Sequence, residues 1–307
     1  MNEIKKRIVI AGGSGFIGQA LALDLAAKYD VVVLSRMPKA RNDGVREVEW
    51  DGVHLGEWIA LLNGAEAVVN LTGKNINCLH TPENIRELMA SRIDSVSAID
   101  AALEHIKEPP RVWVQASATG FYGNSGEVIR DEFSPGGDNI LAEICKHWEK
   151  TFQEAKAEKT KKILLRVGFV LGRDGGALPV LEQFTRRYLG GRAGSGKQCI
   201  SWIHMFDLVK MFRYAIEDEK LSGIYNAVGY EPVTNKDFMR ELRHILRRPW
   251  SPPVPGFIIR LVARRMKSEP SLALEGCHAI PIRFLEAGFE FRFSTLKDAL
   301  ADLYKKP

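Results

Sequence analysis

Along the first half of the chain, short runs of β-branched and aliphatic residues alternate with longer stretches whose apolar positions recur every three or four residues. The runs at 7–11, 31–35, 67–71, 112–117 and 162–167 predict strands, and the stretches at 17–28, 83–106 and 140–157 predict helices. Alternation of this kind builds a parallel sheet with helices on both faces. Past residue 171 the pattern breaks at Gly172 to Gly176, at the Leu-Gly-Gly-Arg-Ala-Gly-Ser-Gly run ending at Gly196, and at the proline-rich 249–255. These breaks mark where the chain leaves the sheet for a smaller lobe. One unit is expected over 1–172 with a return segment near 200–228, and a small substrate and C-terminal lobe over 173–199 and 229–307. No internal repeat or low-complexity segment interrupts either.

The composition, 45% hydrophobic and 26% charged over 307 residues, is that of a folded globular chain and argues against disorder. A net charge of +5 is spread along the sequence, so no nucleic-acid partner is expected. The basic clusters at Arg247-Arg248 and at 260–267 read as solvated helix faces, with a patch that touches nucleic acid or anionic lipid as the alternative. Cys78, Cys145, Cys199 and Cys277 are far apart and form no CxxC pair, which suggests neither a metal site nor a disulfide framework. The apolar run at 8–11 is too short for a signal segment, and no stretch reaches the roughly 18 apolar residues of a membrane span. A cytoplasmic protein with no membrane partner is expected.

The sharpest chemical signal follows the first strand: Gly12-Gly13-Ser14-Gly15-Phe16-Ile17-Gly18, then a helix. In this spacing Gly12 permits a tight turn, Gly15 lets backbone approach a pyrophosphate, and Gly18 lets helix pack on strand. The helix start adds free N–H groups and a positive dipole end. A dinucleotide site on a doubly wound, parallel Rossmann sheet is therefore expected. The second strand ends in Ser35-Arg36, where an NAD-binding chain commonly carries a carboxylate for the ribose hydroxyls. An arginine there attracts a 2′-phosphate and bonds it in a bidentate fork, with the Ser35 hydroxyl adding a bond, so NADP is the expected cofactor.

With these residues in view, the chain resembles the extended short-chain dehydrogenase/reductases, in the atypical epimerase/dehydratase-like branch that includes cell-division-inhibitor homologues. The resemblance rests on the glycine loop, Ser35-Arg36, Trp50-Asp51, Asn70-Leu-Thr-Gly73, Ala116-Ser-Ala-Thr-Gly-Phe-Tyr-Gly123, Asp131-Glu132, Trp148-Glu149, Arg166 to Gly172, Gly194-Ser-Gly-Lys-Gln198, and Ser201-Trp-Ile-His-Met-Phe-Asp207. Leu274-Glu-Gly276 and Arg283 to Phe289 resemble the terminal domain of the branch. It implies that Leu71, Thr72 and Gly73 lie beside the cofactor ribose and pyrophosphate, that Glu87 and Arg92 reach it from the next helix, and that Val170 lies near the nicotinamide. A surface ion pair between Glu87 and Arg92 is the alternative for those two. Dimers through the helices at 83–106 and 140–157 are also implied.

The family's proton relay uses a Ser or Thr, a Tyr, and a Lys four residues later. Counting back from Glu149 places Leu141 and Cys145 at the Tyr and Lys positions, and neither can serve: leucine does not titrate and a lone thiol offers no fixed cation. Lys146 is on the wrong helix face, since successive residues point about 100° apart. Three explanations stand. Tyr122, held by the Thr119 hydroxyl, substitutes as the acid; or Asp131, Glu132 or His204 acts in a rearranged site; or the chain binds NADP without turnover, as a sensor or scaffold. Asp207 reads as a helix N-cap. In the lobe, Phe184, Arg187, Arg192 and the turn from Gly194 to Gln198 are candidates for the pocket wall of an unidentified small-molecule substrate, with arginines suited to an anion.

Overall fold

The structure, a computed structural model, describes residues 5–305. Seven parallel strands form the central sheet: β1 (Arg7–Ala11), β2 (Asp30–Ser35), β3 (Arg46–Glu49), β4 (Ala67–Asn70), β5 (Val112–Ala118), β6 (Lys161–Val167) and β7 (Gly223–Ala227), in the order β7-β6-β5-β4-β1-β2-β3. Ile10 of β1 pairs with Val33 on one side and Val69 on the other, so the most apolar strands occupy the middle of the sheet. The order reverses between β1 and β4, and in doubly wound sheets the crevice beyond the carboxyl ends of such strands receives the ligand.

β3 was not among the expected strands. Its sequence Arg-Glu-Val-Glu has charged outer positions exposed to water, the composition of an edge strand, and no apolar periodicity betrays it. It is held in place because Val48 pairs with Leu34 and the Trp50 N–H donates to the Ser35 carbonyl.

Three helices cross between the early strands: α1 (Phe16–Ala26), α2 (Pro82–Glu104) and α3 (Ile140–Glu154). Thr81 caps α2 by accepting from the Asn84 N–H, with Pro82 following where its missing N–H costs nothing. Asn139 caps α3 in the same way from Ala142. The longer helices that follow among the described residues are α4 (Leu178–Arg186), α5 (Met205–Glu217), α6 (Asn235–Ile245), α7 (Gly256–Arg265) and α8 (Leu296–Tyr304).

The main core lies on the two faces of the sheet, with Trp113 fully buried and edge-on to Phe152. A second core holds the lobe together through Leu178 of α4, Phe238, Met239 and Leu242 of α6, and Leu296 and Leu300 of α8, around Leu171 and Trp202. Helix α7 buries no residue; Phe257 and Leu261 lie on its outer side, each 70% exposed. Among the described residues, no helix is long and apolar enough to cross a membrane.

Candidate functional site

The glycine loop is built by close approach. Gly12 has φ of 73°, and a Cβ there would lie 2.9 Å from both the Leu71 carbonyl carbon and the Thr72 nitrogen. At Gly18 a Cβ would lie 2.5 Å from the Gly13 Cα, so α1 packs onto the loop only because that atom is missing. The N-cap of α1 is Gly15, with no side-chain cap and no acid in the first turn, leaving the first N–H groups without an internal partner. Such a helix start receives phosphate oxygens.

Ser14 and Ser35 place their hydroxyls 3.2 Å apart at the ends of the loop and of β2. Arg36 is exposed and, among the described residues, has no carboxylate within 4.0 Å. Across the switch point, buried Asn70 donates from Nδ2 to Ser95 Oγ (3.1 Å) and Gln115 Oε1 (3.0 Å) and accepts the Thr72 N–H (3.0 Å). That network shapes the turn Leu71, Thr72, Gly73 that faces the glycine loop, and it leaves Thr72 Oγ1 buried without a partner. The motif containing Asn70 was visible in the sequence, but its bonds to Ser95 and Gln115 bridge separate elements and left no local signal.

Phe16 was expected as a cofactor contact. Its ring fills a slot made by Gly172, Gly175 and Gly176, where added Cβ atoms would approach it to 3.0 Å or less. The glycines read as a break in the sequence are thus the socket for the first residue of α1. Ile17 is half-buried beside the main core, and Gly13 backs onto Val33. Val170 lies in the short strand Phe169–Leu171, paired with Ile203.

Glu87 and Arg92 do not pair with each other. Glu87 bonds Lys74, which also donates to Asn84 Oδ1 (2.6 Å), whereas Arg92 turns inward and donates to the carbonyls of Leu88 (2.9 Å) and Lys74 (3.1 Å). The Arg92 guanidinium lies against Gly73 and over the Trp148 ring, 5.2 Å from its centroid. Burial lowers its pKa from the ordinary arginine value, and no carboxylate among the described residues lies within salt-bridge distance. A buried cation without a counter-charge is costly unless an anion joins it.

At β5 the chain turns through Thr119–Tyr122, and α3 packs onto that turn. A Cβ on Gly120 would lie 3.6 Å from Leu141 and 3.7 Å from the Cys145 sulfur, so these two pack directly on the turn. Burial pushes the Cys145 thiol up to about 12, so it is neutral. Lys146 passes beside Gly136 and bonds Glu143 (2.7 Å).

The expectation that Tyr122 acts as an acid held by Thr119 meets a different geometry. Tyr122 is buried; its hydroxyl lies 2.8 Å from the Asp131 carbonyl and from Asn226 Oδ1 and accepts from Arg166 Nη1 at 2.9 Å. Burial pushes its pKa up to about 12. Arg166 in turn forks onto Glu149 (2.7 and 2.9 Å), and Ser117 donates to the same carboxylate (2.7 Å), all at the inner side of the turn. Tyr122 is a tether between β5, β6 and β7, and Thr119 offers its carbonyl to the Cys277 thiol (3.5 Å).

The other acid candidates are also engaged in structure. Asp131 closes its own turn with Ser134 (2.7 Å), and Glu132 is buried, accepting the N–H groups of Asn226 (3.0 Å) and Arg283 (3.3 Å). His204 is the N-cap of α5, its Nδ1 accepting from the Phe206 N–H at 3.1 Å. This corrects the expectation for Asp207, which is buried in the first turn and accepts from the N–H groups of Arg292 (2.9 Å) and Phe293 (3.0 Å), tying the C-terminal segment to α5. Of the expected pocket wall, Arg192 bonds Ser195 and Gln198 donates to the carbonyls of Ala193 and Ala273. A cavity of about 580 Å³ opens elsewhere, lined by Leu79, His80, Arg260, Arg264, Glu269 and Ser271 among others, with none of Phe184, Arg187 or Arg192 in its wall.

A doubly wound sheet with a glycine cradle at its switch point and a smaller lobe held by its own core is the arrangement of an atypical extended dehydrogenase/reductase. Residues 8–227 match the NAD dependent epimerase/dehydratase family, and the chain belongs to it. Residues 254–303 match a domain of unknown function, DUF1731. The chain is 35% identical over 305 residues to the chloroplastic epimerase family protein SDR39U1 homolog of Arabidopsis thaliana, covering 97% of this chain and 86% of that one. It is 32% identical to epimerase family protein YfhF of Bacillus subtilis, covering 96% and 97%. The solved structure of human epimerase family protein SDR39U1 with NADPH superposes with a TM-score of 0.87 at 31% identity, over 98% of this chain and 100% of that one.

Proposed function

We propose that this chain is an NADPH-binding oxidoreductase or epimerase of the family's atypical type, acting on a small molecule without the usual tyrosine and lysine pair. The observation that carries the cofactor reading is Arg36 at the end of β2, exposed and uncompensated beside Ser35, where a 2′-phosphate would sit. The human relative of known structure was solved with NADPH. The cradle fits the group: Gly12 and Gly18 leave the room a Cβ would fill, the start of α1 holds free donors, and Thr72 Oγ1 is a buried donor without a partner. When bound, the cofactor supplies hydride at its nicotinamide. Arg36 and Ser35 would hold the 2′-phosphate, Gly13 to Phe16 the pyrophosphate, and Thr72 and Gly73 the ribose side. Arg92, buried beside Gly73, stands as the cation on this wall of the cleft that the absent lysine would otherwise provide.

A second reading, a non-catalytic NADPH sensor or scaffold, is favoured by one observation, the apolar Leu141 and neutral Cys145 packed on Gly120. Calorimetry with NADPH and NADH on wild type and Arg36→Ala tests the cofactor. We expect a preference for NADPH that falls ten- to a hundredfold in the variant, the range of about 1.5–3 kcal/mol for hydrogen bonds to a charged group. Equal binding of both cofactors by wild type would sink the reading. Incubation with 4-deuterated NADPH and a panel of carbonyl compounds, and with NADP and a panel of secondary alcohols followed for epimerisation, separates the two functions: deuterium in any product or an inverted carbinol supports turnover, and neither, with binding intact, supports the sensor.

A further inference from the structure

The cavity of about 580 Å³ has two walls from distant parts of the chain. One is the turn Leu79, His80, Thr81, which follows the Leu71 to Gly73 turn and leads into α2. The other is α7 and the segment after it, with Arg260, Arg264, Glu269 and Ser271. The walls are tied at their edge. The His80 N–H donates to Glu269 Oε2 (3.2 Å), the His80 ring nitrogen Nδ1 lies 4.0 Å from the same carboxylate oxygen, and Ser268 bonds Asn77. Glu275, also in the wall, accepts from Asn139 at 3.0 Å. Both acids of the wall therefore have partners outside its two arginines.

Arg260 and Arg264 are one helical turn apart, so their side chains leave the same face of α7. Among the described residues, neither guanidinium has a carboxylate within 4.0 Å. The His80 side chain is only 5% exposed, and its Nε2 is buried without a hydrogen-bond partner. Thr81 adds the N-terminus of the 23-residue α2, the positive end of its dipole, to the opposite side. A concave space with two free guanidinium forks, an unpartnered imidazole nitrogen and a positive helix end is complementary to one oxyanion group, which two arginines can grip in bidentate fashion. The volume lies within the range of about 300–1,000 Å³ typical of small-molecule sites. Nucleic acid would instead meet a convex stripe of charge.

We infer that this cavity binds a small organic oxyanion, a carboxylate or a phosphate ester, gripped by Arg260 and Arg264. Leu79 of the wall accepts from Asn84, whose Oδ1 takes a bond from Lys74 next to Gly73, so the cavity adjoins the Leu71 to Gly73 turn and its ligand is the partner of the cofactor, a role that rests on the reading of the cleft as an NADPH site. Binding itself does not depend on that reading.

The test titrates the full chain, with and without NADPH, with gluconate and with glucose 1-phosphate, followed by calorimetry. The variants are Arg260→Ala/Arg264→Ala and, as a control on α7 outside the cavity wall, Arg265→Ala. Saturable binding of at least one probe is expected, weakened tenfold or more in the double variant and unchanged in the control, with NADPH affinity and melting temperature unaltered in both. The probe that binds tells a carboxylate ligand from a phosphate. Binding that survives loss of both arginines, or no saturable binding of either probe, overturns the site. If NADPH fails to bind while a probe still binds through the arginines, the oxyanion site stands and only its link to the cofactor falls. A variant with a lowered melting temperature is replaced by Arg260→Gln/Arg264→Gln, which keeps the side-chain length and is held to the same outcomes.

Discussion

The two ends of the cleft lie at the same carboxyl edge of one sheet and are made in opposite ways. At β1 and β2 the site is shaped by atoms that are missing: Gly12 and Gly18 let backbone meet backbone, and the donors at the start of α1 stay free. At β5 and α3 the site is filled by side chains that use one another up, with Ser117, Glu149, Arg166 and Tyr122 in one buried network and Leu141 and Cys145 over the turn. An end whose polar groups are unspent is free to bind. An end whose Ser117, Glu149, Arg166 and Tyr122 side chains are spent on one another belongs to the core.

The largest expected effect breaks the filled end. Arg166 and Glu149 are each 3% exposed, so Arg166→Met leaves a buried carboxylate without its counter-charge, and a loss of about 3–5 kcal/mol in denaturant unfolding is expected. The double variant Arg166→Met/Glu149→Gln should lose clearly less; if both lose the same, the ion pair is not what holds that end. Next, Gly18→Ala places a Cβ 2.5 Å from the Gly13 Cα, and a loss of about 1–3 kcal/mol together with abolished NADPH binding is expected. Retained NADPH affinity in that variant would show that the cradle tolerates filling and would erase the contrast.

A pH titration sharpens the comparison beside the cleft, at the cap of α5. Burial lowers the His204 pKa from 6.5 to about 4, and its Nδ1 must stay unprotonated to accept the Phe206 N–H. The unfolded chain therefore binds more protons than the folded one between these values. Stability from this group is fully present above pH 6.5, falls as pH drops toward 4 by roughly 3 kcal/mol, and is flat below. In His204→Asn, which keeps a capping oxygen, that part of the slope should vanish. The smallest effect is Tyr122→Phe, about 1 kcal/mol of stability for the lost hydroxyl bonds with NADPH affinity unchanged. A large fall in turnover at constant stability would return Tyr122 to a catalytic role.

The legibility of these regions followed the range of their interactions. The glycine loop is seven consecutive residues, and Ser35-Arg36 follows a strand with clear apolar pattern, so both could be read directly. The edge strand β3 could not, because its charged outer positions carry no period. Gly172, Gly175 and Gly176 looked like a break until the ring of Phe16, far back in the chain, was seen to occupy the space they leave. The capping of α5 misled for a related reason: Asp207 is the better cap by residue type, but its carboxylate is committed to the N–H groups of Arg292 and Phe293, and His204 takes the cap. Likewise, Arg92 was expected to reach the cofactor, with a helix-surface pair as the alternative; the pair is not formed, and the guanidinium is buried against Gly73 and Trp148.

The sequence by itself determined the parallel sheet and the glycine loop after its first strand, and it pointed to Arg36 for a 2′-phosphate and to Leu141 and Cys145 in place of the tyrosine and lysine pair. The sheet shows in an alternation repeated along the chain, and the others depend on residues within a turn or a helix of one another, where spacing and side-chain chemistry suffice. Only the tertiary structure decided that Tyr122, Glu132 and Asp207 are spent on tethering, and that Arg260 and Arg264 meet His80 across a cavity. Whether a polar group is free or used is set by partners that long-range packing brings to it, and a buried group takes whichever partner satisfies it.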